Sequence, residues 1–508
     1  MRAVAESIKA VDPSIYVIIG GPHASLNPEA TMSHKVFDAV CISEGEQASV
    51  ELAAQLAHGI SEPSGIPNLW LRTLASPDGI ERNSPRPFIE DLANIPSINR
   101  ELWVPHVADI DYMPSILLGR GAGGAMKQIP YATQWIEEDD ILAVADALRS
   151  SNLTQGPLVE EFEKDIAQYC GAKYAVAVSS GTAALHIACL AAGVSEGDEV
   201  VTSANTFAAS ANCVLYCGGK PVFADIEDDT ALIDPTDIRR KITNKTKAII
   251  PVHFAGHPAD MEEISKIAKE YNLKIIEDAA HAIGARYRLK NGQDWIKVGS
   301  CFHSDMTILS FHAVKHITTG EGGMVLTNDQ DLYEKLVFFR SHGITRSIKY
   351  MKETEGLWYY EMHDLGFNYR LTDMQCALGI SQLKKLGKFI SRRKEIAKMY
   401  DEAFAEIEQI DFIKEMEGYD SSRHLYVILV ENRKNIFNWL VAEANILVNV
   451  HYIPVYFHPY YRRLGYERGL CPVAEGYYSR AISIPMFPKI SNDEVEYVIG
   501  KIKKVVAG

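Results

Sequence analysis

The sequence predicts an α/β fold in which a mostly parallel sheet is covered by helices on both faces. Four β-branched segments recur at intervals long enough to hold a helix, and amphipathic helical segments fill two of those intervals. This alternation is typical of βαβ units, whose catalytic side chains lie at the carboxyl ends of the strands. The predicted strands are 199–202, 221–224, 248–253 and 274–276, and the helices are 208–217 and 261–271.

The composition narrows the class of protein. A chain of 508 residues is too long for one ordinary hydrophobic core, so two or three domains are expected. Hydrophobic residues make up 47% and charged residues 23%, which is typical of a soluble enzyme. The formal net charge of −15 argues against a nucleic-acid partner, because no basic surplus is present to neutralise phosphates. The sequence contains no apolar run long enough for a membrane span and no apolar signal core, so we expect a cytoplasmic protein.

The eight cysteines are scattered, mostly among apolar neighbours. Cys213 and Cys217 lie four residues apart, which places them on one face of a helix, as in a pair of metal ligands. No second pair or histidine cluster accompanies them at metal-binding spacing. We therefore expect buried, reduced thiols and no metal site.

Residues 1–95 predict a separate, partial α/β unit with two parallel strands. This segment resembles the second half of the cobalamin-binding domain of radical S-adenosylmethionine enzymes, although the segment with the lower cobalt ligand and the clustered iron–sulfur cysteines are both missing. We expect a remnant that binds no cobalamin, joined by a linker at 96–126. The resemblance rests on VIIGGPHAS (17–25), FDAVCISEGE (37–46) and residues 86–92.

A candidate anion site follows the predicted strand 174–178. The turn contains Ser180, Gly181 and Thr182 and opens a helix that runs to residue 192. Backbone N–H groups at a helix N-terminus have no intrahelical acceptor and can bind an anion. The turn lacks the Gly-Lys-Ser/Thr of a Walker loop, and the phosphate of a small cofactor fits it. A capped helix without a ligand has the same pattern.

Two charged side chains stand at the ends of apolar segments. Asp278 ends the strand that begins at Lys274, where a partly buried carboxylate needs a cationic partner such as a protonated pyridine nitrogen. Lys315 lies in a turn between an apolar strand and the glycine-rich segment 318–323. An amine beside apolar walls is neutralised more easily, and only a neutral amine attacks a carbonyl. Taken alone, Lys315 fits a surface lysine better.

The candidate anion site, the acid and the lysine together provide the three groups that pyridoxal phosphate needs. Four segments carry a resemblance to the sugar aminotransferases of the DegT/DnrJ/EryC1/StrS family, over residues 128 to about 506. The resemblance implies a fold-type I pyridoxal phosphate transferase, with a large domain at 127–370 and a small C-terminal domain at 371–508. The segments are SGTAALH (180–186), EDAAHAIGA (277–285), SFHAVKHITTGEGG (310–323) and GFNYRLTDMQCALG (366–379).

The resemblance also assigns cofactor contacts. It implies that Lys315 is the Schiff-base lysine and proton shuttle, that Asp278 pairs with the pyridine nitrogen, and that His281 contacts the ring hydroxyl. Phe207 stacks on the ring or is a plain core residue. The residues implied to hold the phosphate are Gly181, Thr182, Ser310 and, from the neighbouring subunit, Asn368, so the active unit is a homodimer with shared sites.

Within the family, the segment LTQGP (153–157) and residues 211–223, 253–261 and 340–344 look most similar to the pseudaminic-acid branch. That branch aminates C4 of a UDP-linked 4-keto-6-deoxy-N-acetyl-hexosamine with L-glutamate as donor. The positions that match its substrate contacts are Tyr131, Ser151, Asn152, Leu153, Thr154, Asn449, Val450, His451 and Tyr452.

Three alternatives stay open. Another nucleotide-sugar 3- or 4-aminotransferase has the same motifs, and a dehydratase of the family replaces the lysine by histidine, whereas Lys315 is present. A non-catalytic regulator or a cobalamin sensor belongs to a different class.

In the C-terminal part, the sequence predicts one long helix that begins at Asp373 and continues beyond Arg393.

Overall fold

A computed structural model describes residues 128–507, except 291 and 354, and parts of the preceding chain. The described N-terminal residues are 9, 16–19, 28–42, 46–57, 60, 63–73, 76 and 78–85. The chain forms two compact units, residues 1–127 and 128–508. The predicted linker at 96–126 lies outside the described residues, and the domain boundaries proposed from the sequence stay a prediction.

The N-terminal unit contains a four-stranded sheet in the order β1-β2-β3-β4. β1 and β2 are parallel, as expected, whereas β3 and β4 add an antiparallel hairpin that the sequence analysis did not predict. The hairpin forms in a proline-rich stretch because Leu69 and Leu71 alternate with half-buried neighbours and enter the small core. The elements are β1 (Ile18–Ile19), α1 (Pro28–Met32), β2 (Ala39–Cys41), α2 (Glu46–Ala57), β3 (Leu69–Arg72) and β4 (Ile80–Arg82).

The second unit begins with alternating helices and strands. Predicted and observed bounds agree to within one or two residues for most of these elements, although β8 ends earlier than expected. The elements are α3 (Glu138–Arg149), α4 (Pro157–Cys170), β5 (Tyr174–Val178), α5 (Gly181–Ala191), β6 (Glu199–Ser203), α6 (Ala209–Tyr216), β7 (Lys220–Ala224), α7 (Pro235–Lys241), β8 (Thr246–Ile250), α8 (Met261–Tyr271) and β9 (Lys274–Asp278).

Small strands and a hairpin complete this part of the chain. β12 and β13 are joined by the turn that holds Lys315. The elements are β10 (Arg286–Arg288), β11 (Trp295–Lys297), β12 (Met306–Ser310), β13 (Gly323–Thr327), α9 (Gln330–Arg340), β14 (Ile344–Thr345) and β15 (Glu361–Met362).

A seven-stranded sheet in the order β5-β13-β12-β9-β8-β6-β7 forms the centre of the second unit. β13 runs antiparallel to both of its neighbours, and the other six strands are parallel to one another. One core contains Phe162 of α4 and Leu309, and another contains Ala184 of α5 and Ile308. The predicted parallel sheet between helices is confirmed, and the parallel strands bring their carboxyl ends to one edge.

The C-terminal part packs helices on the antiparallel sheet β16-β18-β19. The predicted long helix from Asp373 is wrong in one respect, because the structure has two helices separated at Lys384 and Lys385. The elements are α10 (Asp373–Leu383), α11 (Leu386–Phe404), β16 (Ile410–Phe412), β17 (Tyr419–Asp420), β18 (Tyr426–Val430), α12 (Arg433–Ala442), α13 (Pro459–Arg463), α14 (Pro472–Arg480), β19 (Ala481–Ile484) and α15 (Asn492–Ala507). Within the described residues, no helix has the length and apolar character needed to cross a membrane.

The packing of α10 against α4 yields a stability prediction. A Cβ atom at Gly379 would lie 2.6 Å from Cζ of Phe162 and 2.9 Å from Cγ2 of Thr319. We expect Gly379→Ala to lower the free energy of unfolding by about 1–3 kcal/mol, because the fully buried Phe162 has little room to move. Urea unfolding measures the change. The control is Gly500→Ala in α15, where a Cβ meets nothing within 4 Å and the helix should be slightly stabilised. Equal effects of the two substitutions would contradict the packing account.

Candidate active site

A cavity of about 630 Å³ opens at the edge of the sheet where the parallel strands end. Residues from many separate chain segments line it, and they include most of the positions predicted from the sequence. The predicted residues that line it are Tyr131, Gly181, Thr182, Phe207, Asp278, His281, Ser310, Lys315, Asn449, Val450, His451 and Tyr452.

The N-terminus of α5 forms one wall of the cavity. The Ser180 side chain caps the helix by accepting a hydrogen bond from the Ala183 backbone N–H at 3.0 Å. A Cβ at Gly181 would lie 3.0 Å from Cβ of Ser310, so glycine allows α5 to approach the end of β12 closely. The first-turn N–H groups and the Ser310 hydroxyl therefore lie at one place. This arrangement is suited to a phosphate group.

Asp278 is a buried acid held in a fixed orientation. Its Oδ2 accepts a hydrogen bond from Ser210 Oγ at 2.6 Å, and its Oδ1 accepts one from the Ala280 backbone N–H at 3.1 Å. Ser210 is itself 2.7 Å from Thr206 Oγ1. Only 5% of Asp278 is exposed, and no Lys or Arg of the described part of the chain forms an ion pair with it, so the carboxylate is available to a cationic ring nitrogen.

Lys315 lies in the turn after β12. The turn is closed by hydrogen bonds from the Lys315 backbone N–H to the His312 carbonyl at 2.9 Å and from the Thr319 N–H to the Phe311 carbonyl at 2.9 Å. Burial of the amine lowers the pKa of Lys315 to about 8, while the negative charge of Asp278 opposes that shift and the positive charge of Arg393 adds to it. The amine is therefore substantially neutral at mildly alkaline pH, as nucleophilic attack on a carbonyl requires.

His281 and Tyr452 form a pair beside the lysine. His281 Nε2 lies 3.0 Å from the Tyr452 hydroxyl, and the Tyr452 backbone N–H donates to Asn205 Oδ1 at 3.1 Å. Burial lowers the pKa of His281 well below its usual value, and the nearby Lys315 adds to that effect, so the imidazole is neutral. The ring centroid of Phe207 lies 6.1 Å from that of Tyr452, and Phe207 is 60% exposed. It is therefore no core residue and can stack on a bound ring.

Tyr131 and Asn449 line another wall, and the ring of Tyr131 lies 5.9 Å from that of His451. Burial raises the pKa of the Tyr131 hydroxyl, and a hydrogen bond with Asn449 opposes the shift.

Five predicted site residues do not reach the cavity of their own chain. Asn368 pairs with Ser341 in an isolated bridge, and the others lie in an exposed segment next to the start of α10. That segment contains Ser151, Asn152, Leu153 and Thr154.

Three further residues of the site, Ser210, Asn205 and His424, were not predicted from the sequence. Ser210 lies within a helix that was predicted, and no motif marks it. Only the sheet order brings α6 against the end of β9.

Seven of the eight cysteines are buried, and Cys217 is half-buried. Among the described residues, no group of three or more His, Cys, Asp or Glu side chains can hold a metal ion.

The residues present fit pyridoxal phosphate. The α5 N-terminus suits its phosphate, Phe207 offers an aromatic face, Asp278 offers a buried carboxylate for the ring nitrogen, and Lys315 offers an amine of lowered pKa. These four features face one cavity large enough for the cofactor and a further ligand.

The lowered pKa of Lys315 predicts how the rate of cofactor uptake by the apoprotein depends on pH. Because attack requires the neutral amine, the rate of pyridoxal phosphate uptake should rise with pH and level off above about 8. Stopped-flow absorbance between pH 6 and pH 10 gives this profile. In Asp278→Asn the midpoint should fall, since the charge that favours the protonated amine is removed. A midpoint near the ordinary lysine value of about 10.4 would contradict the buried environment.

The model of the DegT/DnrJ/EryC1/StrS aminotransferase family matches residues 134–503. A UDP-4-amino-4,6-dideoxy-N-acetyl-beta-L-altrosamine transaminase from Campylobacter jejuni is 39% identical over 394 residues, which cover 75% of this chain and 100% of that protein. A GDP-perosamine synthase from Escherichia coli O157:H7 is 36% identical and covers 75% of this chain and 99% of its own length.

Solved structures agree with these matches. Helicobacter pylori PseC, described as an aminotransferase involved in the biosynthesis of pseudoaminic acid, has a TM-score of 0.68 at 33% identity, over 75% of this chain and 100% of its own. The PLP-form of a putative sugar aminotransferase, Spr1654, from Streptococcus pneumoniae has a TM-score of 0.67 at 32% identity, over 75% and 99%. The chain belongs to the DegT/DnrJ/EryC1/StrS family and is a sugar aminotransferase that depends on pyridoxal phosphate.

Proposed function

We propose that the protein transfers the amino group of L-glutamate to C4 of a UDP-linked 4-keto-6-deoxy-N-acetyl-hexosamine, giving UDP-4-amino-4,6-dideoxy-N-acetyl-β-L-altrosamine. The observation that carries the proposal is the 39% identity to the Campylobacter jejuni transaminase over that protein's entire length. The residues that match substrate-contacting positions support it, since Tyr131, Asn449 and His451 line the same cavity as Lys315.

When bound, the cofactor supplies an electron sink that stabilises negative charge at the carbon losing its proton. Lys315 is proposed to move that proton, because an amine with a pKa of about 8 both accepts and releases a proton near neutral pH. Asp278 is proposed to hold the ring nitrogen protonated, and its bonds from Ser210 and Ala280 fix the carboxylate in place. His281 is proposed to act on the ring hydroxyl through the Tyr452 hydroxyl, which lies 3.0 Å from His281 Nε2.

The proposed sugar is tested by offering two 4-keto substrates that differ in configuration at C5. With glutamate as donor, we expect amination of the L-arabino-type UDP sugar, because this chain is similar to the Campylobacter jejuni enzyme over that enzyme's full length. Product identity is read by mass spectrometry and NMR. Exclusive use of the D-xylo isomer would refute the assignment.

A second candidate is another nucleotide-sugar aminotransferase, and the similarity to the GDP-perosamine synthase favours it. The two candidate functions differ in the nucleotide and the sugar of the substrate. The residues around Lys315 are compatible with both functions. Competition between UDP- and GDP-linked keto sugars separates them, since the preferred nucleotide has the higher kcat/KM.

We further propose a homodimer in which Asn368 enters the cavity of the second copy. Asn368 does not line the cavity of its own chain, and exposed apolar side chains lie nearby in sequence. A chain segment with this many exposed apolar side chains is typical of a surface covered by another protein. The exposed residues are Ile348 (87%), Leu357 (102%), Trp358 (71%), Met362 (64%) and Leu365 (72%).

Mixed dimers test the shared site. Lys315→Ala and Asn368→Ala are each expected to be nearly inactive, but a dimer of one copy of each holds one intact site. Denaturing and refolding a one-to-one mixture should restore about a quarter of wild-type activity, because half of the closed dimers carry one intact site in two. The control is a mixture of Lys315→Ala with Asp278→Asn, which should stay inactive. If Asn368 instead acted within its own chain, neither mixture would recover activity.

A further inference from the structure

Four neighbouring residues beside the cavity each have a buried nitrogen atom without a hydrogen-bond partner. Among the described residues, six buried side-chain nitrogen or oxygen atoms lack a hydrogen-bond partner, and the two outside this group belong to Arg340 and Arg480. Buried nitrogens are seldom left unpaired, because each loses its bonds to water on folding. The four are His281 Nδ1, His316 Nδ1, His424 Nδ1 and Arg393 Nε.

Ring contacts and a hydrogen bond show that the four residues are neighbours. The ring centroids of His281 and His424 are 4.3 Å apart, and those of His316 and His424 are 5.3 Å apart. Arg393 Nη1 donates to the His424 carbonyl at 3.0 Å and to the Met486 carbonyl at 2.8 Å. All four side chains are at most 5% exposed, although His281 and His424 also border the cavity.

The protonation of the cluster follows from its burial and bonds. Burial lowers the pKa of all three histidines well below the usual value, so each imidazole is neutral, with one donor and one acceptor nitrogen. His316 Nε2 lies 3.0 Å from the Ser422 carbonyl and must donate to it, which makes His316 Nδ1 an acceptor. Arg393 Nε carries a hydrogen and is a donor.

We propose that His316, His424 and Arg393 enclose a buried water molecule that bonds His281 Nδ1, so that the three are positioning residues acting through His281. A water molecule makes up to four hydrogen bonds, and this set offers two donors and two acceptors. The water accepts from Arg393 Nε and from the protonated Nδ1 of His424. It donates to His316 Nδ1 and to His281 Nδ1. Each of the four nitrogen atoms then has a hydrogen-bond partner.

This arrangement fixes the tautomer of His281. With an acceptor at Nδ1, its Nε2 carries the hydrogen and donates to the Tyr452 oxygen 3.0 Å away. Burial also raises the pKa of the Tyr452 hydroxyl, so that hydroxyl stays protonated. Its hydrogen is then free to point into the cavity, where a ring hydroxyl or a substrate oxygen accepts it. The inference rests on the proposed action of His281 on the cofactor through Tyr452.

Crystallography of the full chain with bound cofactor tests the water directly, independently of activity and of the sugar used. We expect density for one water within about 3.2 Å of at least three of the four nitrogens. A dry cluster, or rings rotated so that the nitrogens bond protein atoms instead, would overturn the proposal.

Variants test the positioning role with glutamate alone, in the half-reaction that precedes the sugar. His424→Phe removes a donor from the water, and we expect about a tenfold slower half-reaction at saturating glutamate with little change in the glutamate KM. His424→Asn keeps an N–H group and should recover most of the rate. Because the sugar is absent, failure here is distinct from a wrong sugar assignment.

His257→Phe is the matched control. His257 is another buried histidine of lowered pKa, but it bonds the Pro258 carbonyl and the Met416 N–H away from the cavity. It should lose stability without slowing the half-reaction. Equal rate losses in His257→Phe and His424→Phe, or no rescue in His424→Asn, would show that His424 has only a structural role.

Discussion

The site depends on the electrostatic interaction between the buried carboxylate of Asp278, at the end of one strand, and the buried amine of Lys315, in the turn after the neighbouring strand. β9 and β12 are parallel, and their register pairs Ile308 with Asp278. Two residues beyond Ile308 the chain leaves the sheet, and the closed turn then brings Lys315 towards Asp278. Burial alone would lower the pKa of the lysine further, and the carboxylate limits that shift. The result is an amine that exchanges a proton near neutral pH.

The surrounding elements keep this pair in place. Ser210 on α6 orients the Asp278 carboxylate, and α5 approaches closely because Gly181 has no side chain. On the C-terminal side, the Tyr452 backbone N–H bonds Asn205, and Arg393 of α11 donates to two carbonyl groups. Helices and loops from both ends of the second unit therefore meet at the same strand ends, where the parallel sheet leaves an open edge.

Much of this could be predicted from the sequence because the key residues follow local patterns. Asp278, Gly181 and Lys315 each lie directly after a β-rich segment, so strand prediction alone places them at one edge of the sheet. Ser210 and His424 could not be found in this way, since their contacts depend on strand order and on packing between distant segments. The end of α10 at Leu383 could not be found either, since no proline marks it and α11 begins only three residues later, at Leu386.

The central claim is that Lys315 is the residue that binds the cofactor covalently. Reduction of the holoenzyme with borohydride, followed by proteolysis and peptide mass spectrometry, locates the attachment site without any assumption about the sugar substrate. The account predicts that the cofactor's mass is found on the peptide containing Lys315 and is absent from that peptide in Lys315→Ala. Attachment to a different lysine of the wild-type protein would contradict it.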